Sequence, residues 1–264
     1  MRLENIIRDA GVIEVRGNRD LEILDVCNDS RKVTPGAIFI AVKGHDSDGH
    51  AFIGKAIGSG AAAIVYEDEE AMRTAAAGQP DAPVTLVKVA DSRHAVAMMA
   101  ANFFDNPSRK LTLVGITGTN GKTTTVCLLK FLLEKTGHKV GMIGTIQNMI
   151  GDRALPAART TPDTYELQSL FALMVAEGCD CCVMEVSSHA LAQERVAGCH
   201  FEVAVFTNLT QDHLDYHGTM ENYYQAKKLL FSRCDTAVID TDDDYGKRLY
   251  SEVTCPKIAY GSSN

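Results

Sequence analysis

The sequence predicts an α/β protein in two parts: a small N-terminal α/β module, then a mostly parallel, doubly wound sheet built around a phosphate-binding loop. Three observations predict it. Short apolar runs alternate with helical patterns along most of the chain, the signature of βα repetition and of a parallel sheet covered by helices on both faces. A glycine-rich turn, Gly115-Ile-Thr-Gly-Thr-Asn-Gly-Lys-Thr-Thr-Thr125, connects one such run to the start of a helical pattern. With 264 residues, 45% of them hydrophobic, the chain can fill the cores of one large or two ordinary domains.

In the first part, apolar runs at 21–26, 37–42, 62–66 and 84–89 read as strands, with helices over 51–59 and near 68–77. The turn-rich stretch Gly-Gln-Pro-Asp-Ala-Pro at 78–83 is followed by Asp91, an N-cap for an Ala/Met-rich helix to about residue 104. A boundary near residue 90 follows, giving domains 1–90 and 91–264. Beyond it the alternation predicts strand 111–116, helix 122–136, strand 139–143, helix 164–177, and strands 181–186 and 202–206. Helix 220–233, strand 236–239, a helix near 243–251 and strand 257–260 complete the series. In such a sheet ligands bind at the carboxyl ends of the strands.

Composition excludes several classes. A net charge of −8 argues against nucleic acid as the main partner, since phosphate-backbone binders carry a basic face. No run of 18 apolar residues and no signal-peptide pattern occur, so no membrane partner is expected and the protein is expected to be soluble and cytoplasmic. Eight cysteines fit a reducing compartment. Cys179, Cys181 and Cys182 suggest a zinc site, but adjacent residues of a strand face opposite ways, so buried thiols are the expectation.

The glycine turn carries the chemistry. Its backbone N–H groups and the positive end of the following helix attract phosphate oxygens, Lys122 adds a point charge, and the Thr123 hydroxyl can reach a magnesium ion. The common P-loop spacing would place glycine where this chain has Ile116, so the loop is a variant form.

Three polar features follow at strand ends. Glu185 closes the apolar run at 181–184 and is a magnesium-ligand candidate, because magnesium takes few protein carboxylates and completes its octahedron with phosphates and water. The segment Asp212-His-Leu-Asp-Tyr-His217 is too polar for a core; His213 is the chosen metal ligand, with His217 less favoured. Lys227 falls inside an apolar stripe of Met220, Tyr223, Tyr224, Leu230 and Phe231, with Lys228 beside it. A lysine on such a face usually snorkels to water. Where it cannot, its amine is held neutral and can take up carbon dioxide as an anionic carbamate.

Taken together, the motifs resemble those of the Mur ligases, and within them the members that add the third amino acid of the peptidoglycan stem peptide. The resemblance rests on Thr-Gly-Thr-Asn-Gly-Lys-Thr-Thr at 117–124, Thr160-Thr161-Pro162, Met-Glu-Val-Ser-Ser-His-Ala-Leu at 184–191, the stretch 208–218 and Tyr-Gln-Ala-Lys at 224–227. Asn-Asp-Ser-Arg at 28–31 and the stretch 42–50 are similar to that family's uridine-nucleotide domain.

The resemblance implies an ATP-dependent amide ligase acting on UDP-N-acetylmuramoyl dipeptide, with diaminopimelate or lysine as the incoming amino acid. Gly118, Thr119, Asn120, Gly121, Lys122, Thr123 and Thr124 would hold ATP. Ser30 and His45 would sit near the UDP group, and Thr160, Thr161, Ser187, Gln193 and Arg195 would hold the muramoyl dipeptide. Thr123 and Glu185 would bind one magnesium ion, His213 and a carbamylated Lys227 a second. The family continues past residue 264 into the rest of its ATPase domain and an amino-acid-binding domain, so this stretch alone is expected not to form product. A folylpolyglutamate synthetase-like ligase and a non-catalytic UDP-muramoyl-binding fragment are the alternatives.

Overall fold

Residues 1–44, 47–79 and 82–262 are described by the computed structural model, and the chain divides into two units, Met1–Asn106 and Pro107–Asn264. In the first, α1 (Leu3–Ile6) and β1 (Val12–Arg16) precede β2 (Asp25–Cys27) and β3 (Ala37–Ile40). A 3-10 turn, Gly49–Phe52, leads into α2 (Ile53–Gly58), followed by β4 (Ala63–Tyr66), α3 (Glu69–Ala76), β5 (Thr85–Val89) and α4 (Ser92–Phe103). Among the described residues the strand order is β1-β5-β4-β3-β2, parallel except for the edge strand β1.

β3 and β4 are buried at every position, as expected of strands covered on both faces. Phe39, Ile64 and Tyr66 pack with Ile53 of α2 and Met72 of α3. Asp68 caps α3 by accepting the Glu70 and Ala71 N–H groups, each at 3.0 Å.

Two expectations differ here. The strand expected from residue 21 starts at Asp25, because residues 21–23 pair instead with the N-terminus through Leu3 N–H to Leu21 O and Ile23 N–H to Met1 O. The division also falls later than residue 90, because α4 is fastened into the first unit. Asn102 donates to the carbonyls of Ile6 and Arg8 at 3.0 and 2.7 Å, and buried Ser92 donates its N–H to Glu67 at 2.7 Å.

The second unit opens with a 3-10 turn at Pro107–Lys110, then β6 (Thr112–Thr117), α5 (Lys122–Lys135), β7 (Val140–Ile143) and a hairpin of β8 (Asn148–Ile150) and β9 (Arg153–Leu155). α6 (Thr164–Ala176), β10 (Cys181–Glu185), α7 (Ser188–Ala192), β11 (Phe201–Phe206) and α8 (Leu214–His217) follow. α9 (Met220–Lys228) tightens into a 3-10 turn at Leu229–Ser232 before β12 (Cys234–Asp240), α10 (Asp244–Glu252) and β13 (Lys257–Tyr260). The order is β13-β12-β11-β6-β10-β7-β8-β9, with β13 through β7 parallel and the β8–β9 hairpin antiparallel.

The two faces of this sheet have separate cores. Cys181 and Val183 pack with Ile116, Val126 and Val140, whereas Cys182 and Met184 pack with Phe171, Phe201 and Phe206. All eight cysteines are free thiols. The alternation separates Cys181 from Cys182 and rules out a shared ion for that pair. Truncating a side chain such as Phe206 to alanine should cost about 3–5 kcal/mol in this dense setting. No helix among the described residues is long and apolar enough to cross a membrane.

Candidate active site

β6 lies between β10 and β11, so the strand order reverses on either side of the one strand that feeds the glycine loop. Gly118 has φ +146, and a Cβ there would stand 1.9 Å from the Thr207 hydroxyl. Only glycine fits. Residues at the end of β11 fasten the loop: Thr119 N–H donates to Asn208 O at 2.9 Å, Asn120 N–H to Asn208 Oδ1 at 3.0 Å, and the Thr207 hydroxyl to Asn120 O at 2.6 Å. Gly121, with φ +85, is the N-cap of α5, whose first-turn amides have no partners within the helix and point outward. Lys122 Nζ folds back onto Gly118 O at 2.8 Å and Thr119 O at 2.9 Å. Burial pulls its pKa down while Glu185 and Asp212 oppose that shift.

Glu185 ends β10 and is 1% exposed. A buried carboxylate must be satisfied by donors. The Thr123 hydroxyl donates to it at 2.9 Å and the Thr145 N–H at 2.8 Å, with the Thr145 hydroxyl at 3.3 Å. Thr145 in turn meets Thr160 Oγ1 at 3.0 Å. These are hard oxygen ligands in a polar setting, the donor set that suits magnesium.

The far side comes from α8 and α9. Lys227 is 2% exposed, and its Nζ donates to Gly118 O at 2.8 Å and lies 4.5 Å from the centre of the Tyr223 ring. Burial drives its pKa well below that of a free lysine, and the Lys122 charge adds to the shift. His213 has φ +52, a left-handed position that turns the chain into α8, and its ring packs edge-on against His189 and Tyr223. His217 is buried on the Ser188 hydroxyl at 2.9 Å, and burial, then the neighbouring His189, lowers its pKa to about 4. It stays neutral and supports the site from behind.

Thr119, Asn120, Gly121, Lys122, Thr123, Thr124, Thr160, Glu185, Ser187, His213 and Lys227 line one cleft of about 350 Å³. The remaining expected residues are placed differently. Gly118 supplies the carbonyl that both lysines share. Thr161, 1% exposed, donates to Glu185 O at 2.9 Å and accepts from Ser187 N–H at 3.0 Å, so it braces the cleft wall. Arg195 donates to Gln193 Oε1 at 2.6 Å and Thr161 O at 3.0 Å and lies 3.4 Å from Asp163. Ser30 is buried in the first unit, in the turn after β2, and His45 lies outside the described residues.

Three cleft residues escape the sequence reading: Thr145, Ser188 and the Tyr223 hydroxyl. Thr145 was accessible to the strand-end rule, since it stands just past the apolar run of β7.

Two family models match the chain: the Mur ligase middle domain over residues 116–264, and the Mur ligase family catalytic domain over residues 22–104. UDP-N-acetylmuramoyl-L-alanyl-D-glutamate--2,6-diaminopimelate ligase 1 of Clostridium acetobutylicum is 49% identical over 261 residues, which cover 99% of this chain and 52% of that protein. The ligase of the same kind from Caldanaerobacter subterraneus is 47% identical over 262 residues, with the same coverage of 99% and 52%. The chain therefore spans about half the length of the curated relatives it matches. A solved structure of such a ligase superposes with a TM-score of 0.80 at 28% identity, over 100% of this chain and 53% of that one. The MurF ligase from Thermotoga maritima in complex with ADP gives 0.59 at 27% identity, over 91% and 51%.

Proposed function

The chain belongs to the Mur ligase family, and on that premise we propose that it carries the nucleotide site and the acyl-donor side of an ATP-dependent acid–amino-acid ligase. The reaction adds the third amino acid to UDP-N-acetylmuramoyl-L-alanyl-D-glutamate, in the cytoplasm, during peptidoglycan precursor synthesis. Diaminopimelate is the favoured amine over lysine, because it stands in the names of relatives 45–49% identical to this chain. One observation carries the reading. Lys122, Thr123, Glu185, His213 and Lys227, drawn from four separate segments, line a single cleft at the strand-order reversal.

In this mechanism the loop amides of residues 118–122 and the N-terminus of α5 hold the phosphates of ATP, and Lys122 exchanges its loop carbonyls for phosphate oxygen. Thr123 and Glu185 would hold one magnesium ion, and His213 with carbamylated Lys227 a second. The metals supply charge neutralisation between an anionic carboxylate and the anionic γ-phosphate. Thr160, Thr161, Ser187, Gln193 and Arg195 hold the muramoyl dipeptide so that its D-glutamyl side-chain carboxylate lies in line with the γ-phosphorus. A carboxylate oxygen forms the new bond to phosphorus, the β–γ bridge breaks, and ADP leaves with an acyl phosphate behind. The amine then attacks the acyl carbon, loses a proton, and expels phosphate. Here the protein mostly positions reactants and neutralises charge. Ser30 and His45 belong, in this reading, to the uridine-nucleotide site of the N-terminal unit.

The test uses the full gene product containing this chain, with ATP, magnesium, the UDP-muramoyl dipeptide, and diaminopimelate or lysine. ADP, phosphate and tripeptide should form in equal amounts, and Lys122→Ala should remove most of the turnover while leaving the fold intact. Unchanged turnover in Lys122→Ala, or no ADP release that depends on the dipeptide, would refute the assignment.

A further inference from the structure

We propose that His138, Asp180 and Cys181 form a site for one divalent transition-metal ion of the zinc class, at the opposite ends of the strands from the phosphate cleft. One ligand atom from each residue lies within 4.8 Å of the other two. His138 Nδ1 is 2.7 Å from Asp180 Oδ2 and 3.6 Å from Cys181 Sγ. A tetrahedral zinc ion with bonds of about 2.0 Å to nitrogen and about 2.3 Å to sulfur separates those two atoms by about 3.6 Å. The nitrogen–sulfur edge is therefore already set, and the carboxylate needs to withdraw by about half an ångström from a direct hydrogen bond.

Besides the His138–Asp180 contact, backbone hydrogen bonds hold all three residues in place. Cys181 is fixed in the ladder between Thr112 and Val140. Asp180 N–H donates to Lys139 O at 3.1 Å and its carbonyl accepts from Thr112 N–H at 2.8 Å, while His138 N–H reaches back to Leu133 O at 3.2 Å. Lys139 N–H also donates to Asp180 Oδ1 at 3.0 Å, which engages one carboxylate oxygen and presents the other toward His138. Outer contacts of this sort orient the ligands of metal sites.

Cys181 is 3% exposed, whereas the His138 and Asp180 side chains are 43% and 55% exposed, so the sulfur is the floor and solvent the approach. On binding, the Cys181 thiol releases its proton to water, His138 ligates as the neutral tautomer with its proton on Nε2, and a water molecule fills the fourth place. Burial pushes the Cys181 thiol up, so affinity rises with pH. Sulfur with imidazole selects zinc over magnesium, while the phosphate cleft contains no sulfur and prefers the opposite. A bound ion would clamp the C-terminal side of α5 to the start of β10, the far ends of the two elements that carry Lys122, Thr123 and Glu185.

The experiment titrates zinc into the reduced chain against a chromophoric chelator, and cobalt in parallel. The site predicts one ion per chain, a thiolate-to-cobalt charge-transfer band, and an affinity at least about tenfold weaker in both His138→Asn and Cys181→Ser. His138 is exposed enough that its replacement leaves the core intact. Cys234→Ser is the control for the other close thiol pair, Cys234 and Cys255, whose sulfurs are 3.8 Å apart, and it should change nothing. No stoichiometric zinc, cobalt bound without the thiolate band, unchanged affinity in His138→Asn, or loss of the band in Cys234→Ser would each overturn the assignment.

Discussion

Two buried lysines of the second unit, Lys130 on α5 and Lys227 on α9, have similar exposure at 6% and 2% but opposite electrostatic settings. Lys130 is ion-paired with Glu134 one helical turn away. Lys227 meets a backbone carbonyl and an aromatic ring, lies near Lys122, and among the described residues has no carboxylate within ion-pair distance. An unpaired buried cation is costly, because water is lost and no anion replaces it. The contrast separates a completed structural pair from a position whose electrostatics are completed by something anionic from outside. In the proposed ligase that is a carbamate on the Lys227 nitrogen, whose anionic oxygens would face magnesium.

The largest effect should come from breaking the unpaired member. Lys227→Ala in the full gene product should lower turnover by about 10²–10³-fold, the scale of losing one charge-stabilising group, and short carboxylic acids should restore part of it. Lys130→Met, by comparison, should keep turnover within about twofold, because Lys130 does not line the cleft and Glu134, 31% exposed, can be hydrated without it. Equal losses in the two variants, read in a coupled ADP-release assay, would erase the distinction.

A smaller effect is expected at Thr123, whose hydroxyl joins α5 to the carboxylate that ends β10. Thr123→Val should weaken magnesium-dependent turnover about tenfold, the scale of a lost charge-assisted hydrogen bond, and leave metal-free nucleotide binding less affected. Titration of each step with magnesium checks the order; a variant equally impaired without metal would assign Thr123 to the nucleotide instead.

The smallest effect is the pH dependence of the wall behind the cleft. His217 is held neutral with a pKa of about 4, below the 6.5 of a free histidine, so between those values the unfolded chain binds the extra proton. Folding stability should therefore fall as pH drops from 6.5 toward 4, and His217→Gln should lose that part of the acid sensitivity. Urea melts across that range measure it, and an unaltered pH slope in the variant would mean that other groups carry the effect.

How much of this was legible in sequence depended on distance along the chain. The phosphate loop was readable because its glycines, Lys122 and Thr123 are neighbours in one strand–turn–helix unit. The helical stripe was enough to turn Lys227 inward, yet its partner, Gly118 O, comes from 109 residues away and left no local sign. Edge elements were lost for a related reason. β1 shows mostly exposed positions, and β8 and β9 are three residues each, too short for a period to register. The short helices α7 and α8 were read only as polar clusters, since each is shorter than two turns and its polar residues serve the cleft. The boundary near residue 90 followed turn residues, whereas the actual division follows the contacts of α4, which pattern alone does not reveal.

The central claim is that Lys227, unlike Lys130, is completed by an anion built on its own nitrogen. Carbon-13 NMR of the full gene product, equilibrated with labelled bicarbonate in the presence of nucleotide and magnesium, addresses it most directly. The account predicts one carbamate signal per chain, retained in Lys130→Met and absent in Lys227→Ala. A fully active, metal-loaded enzyme with no such signal, or a signal that survives Lys227→Ala, would contradict it.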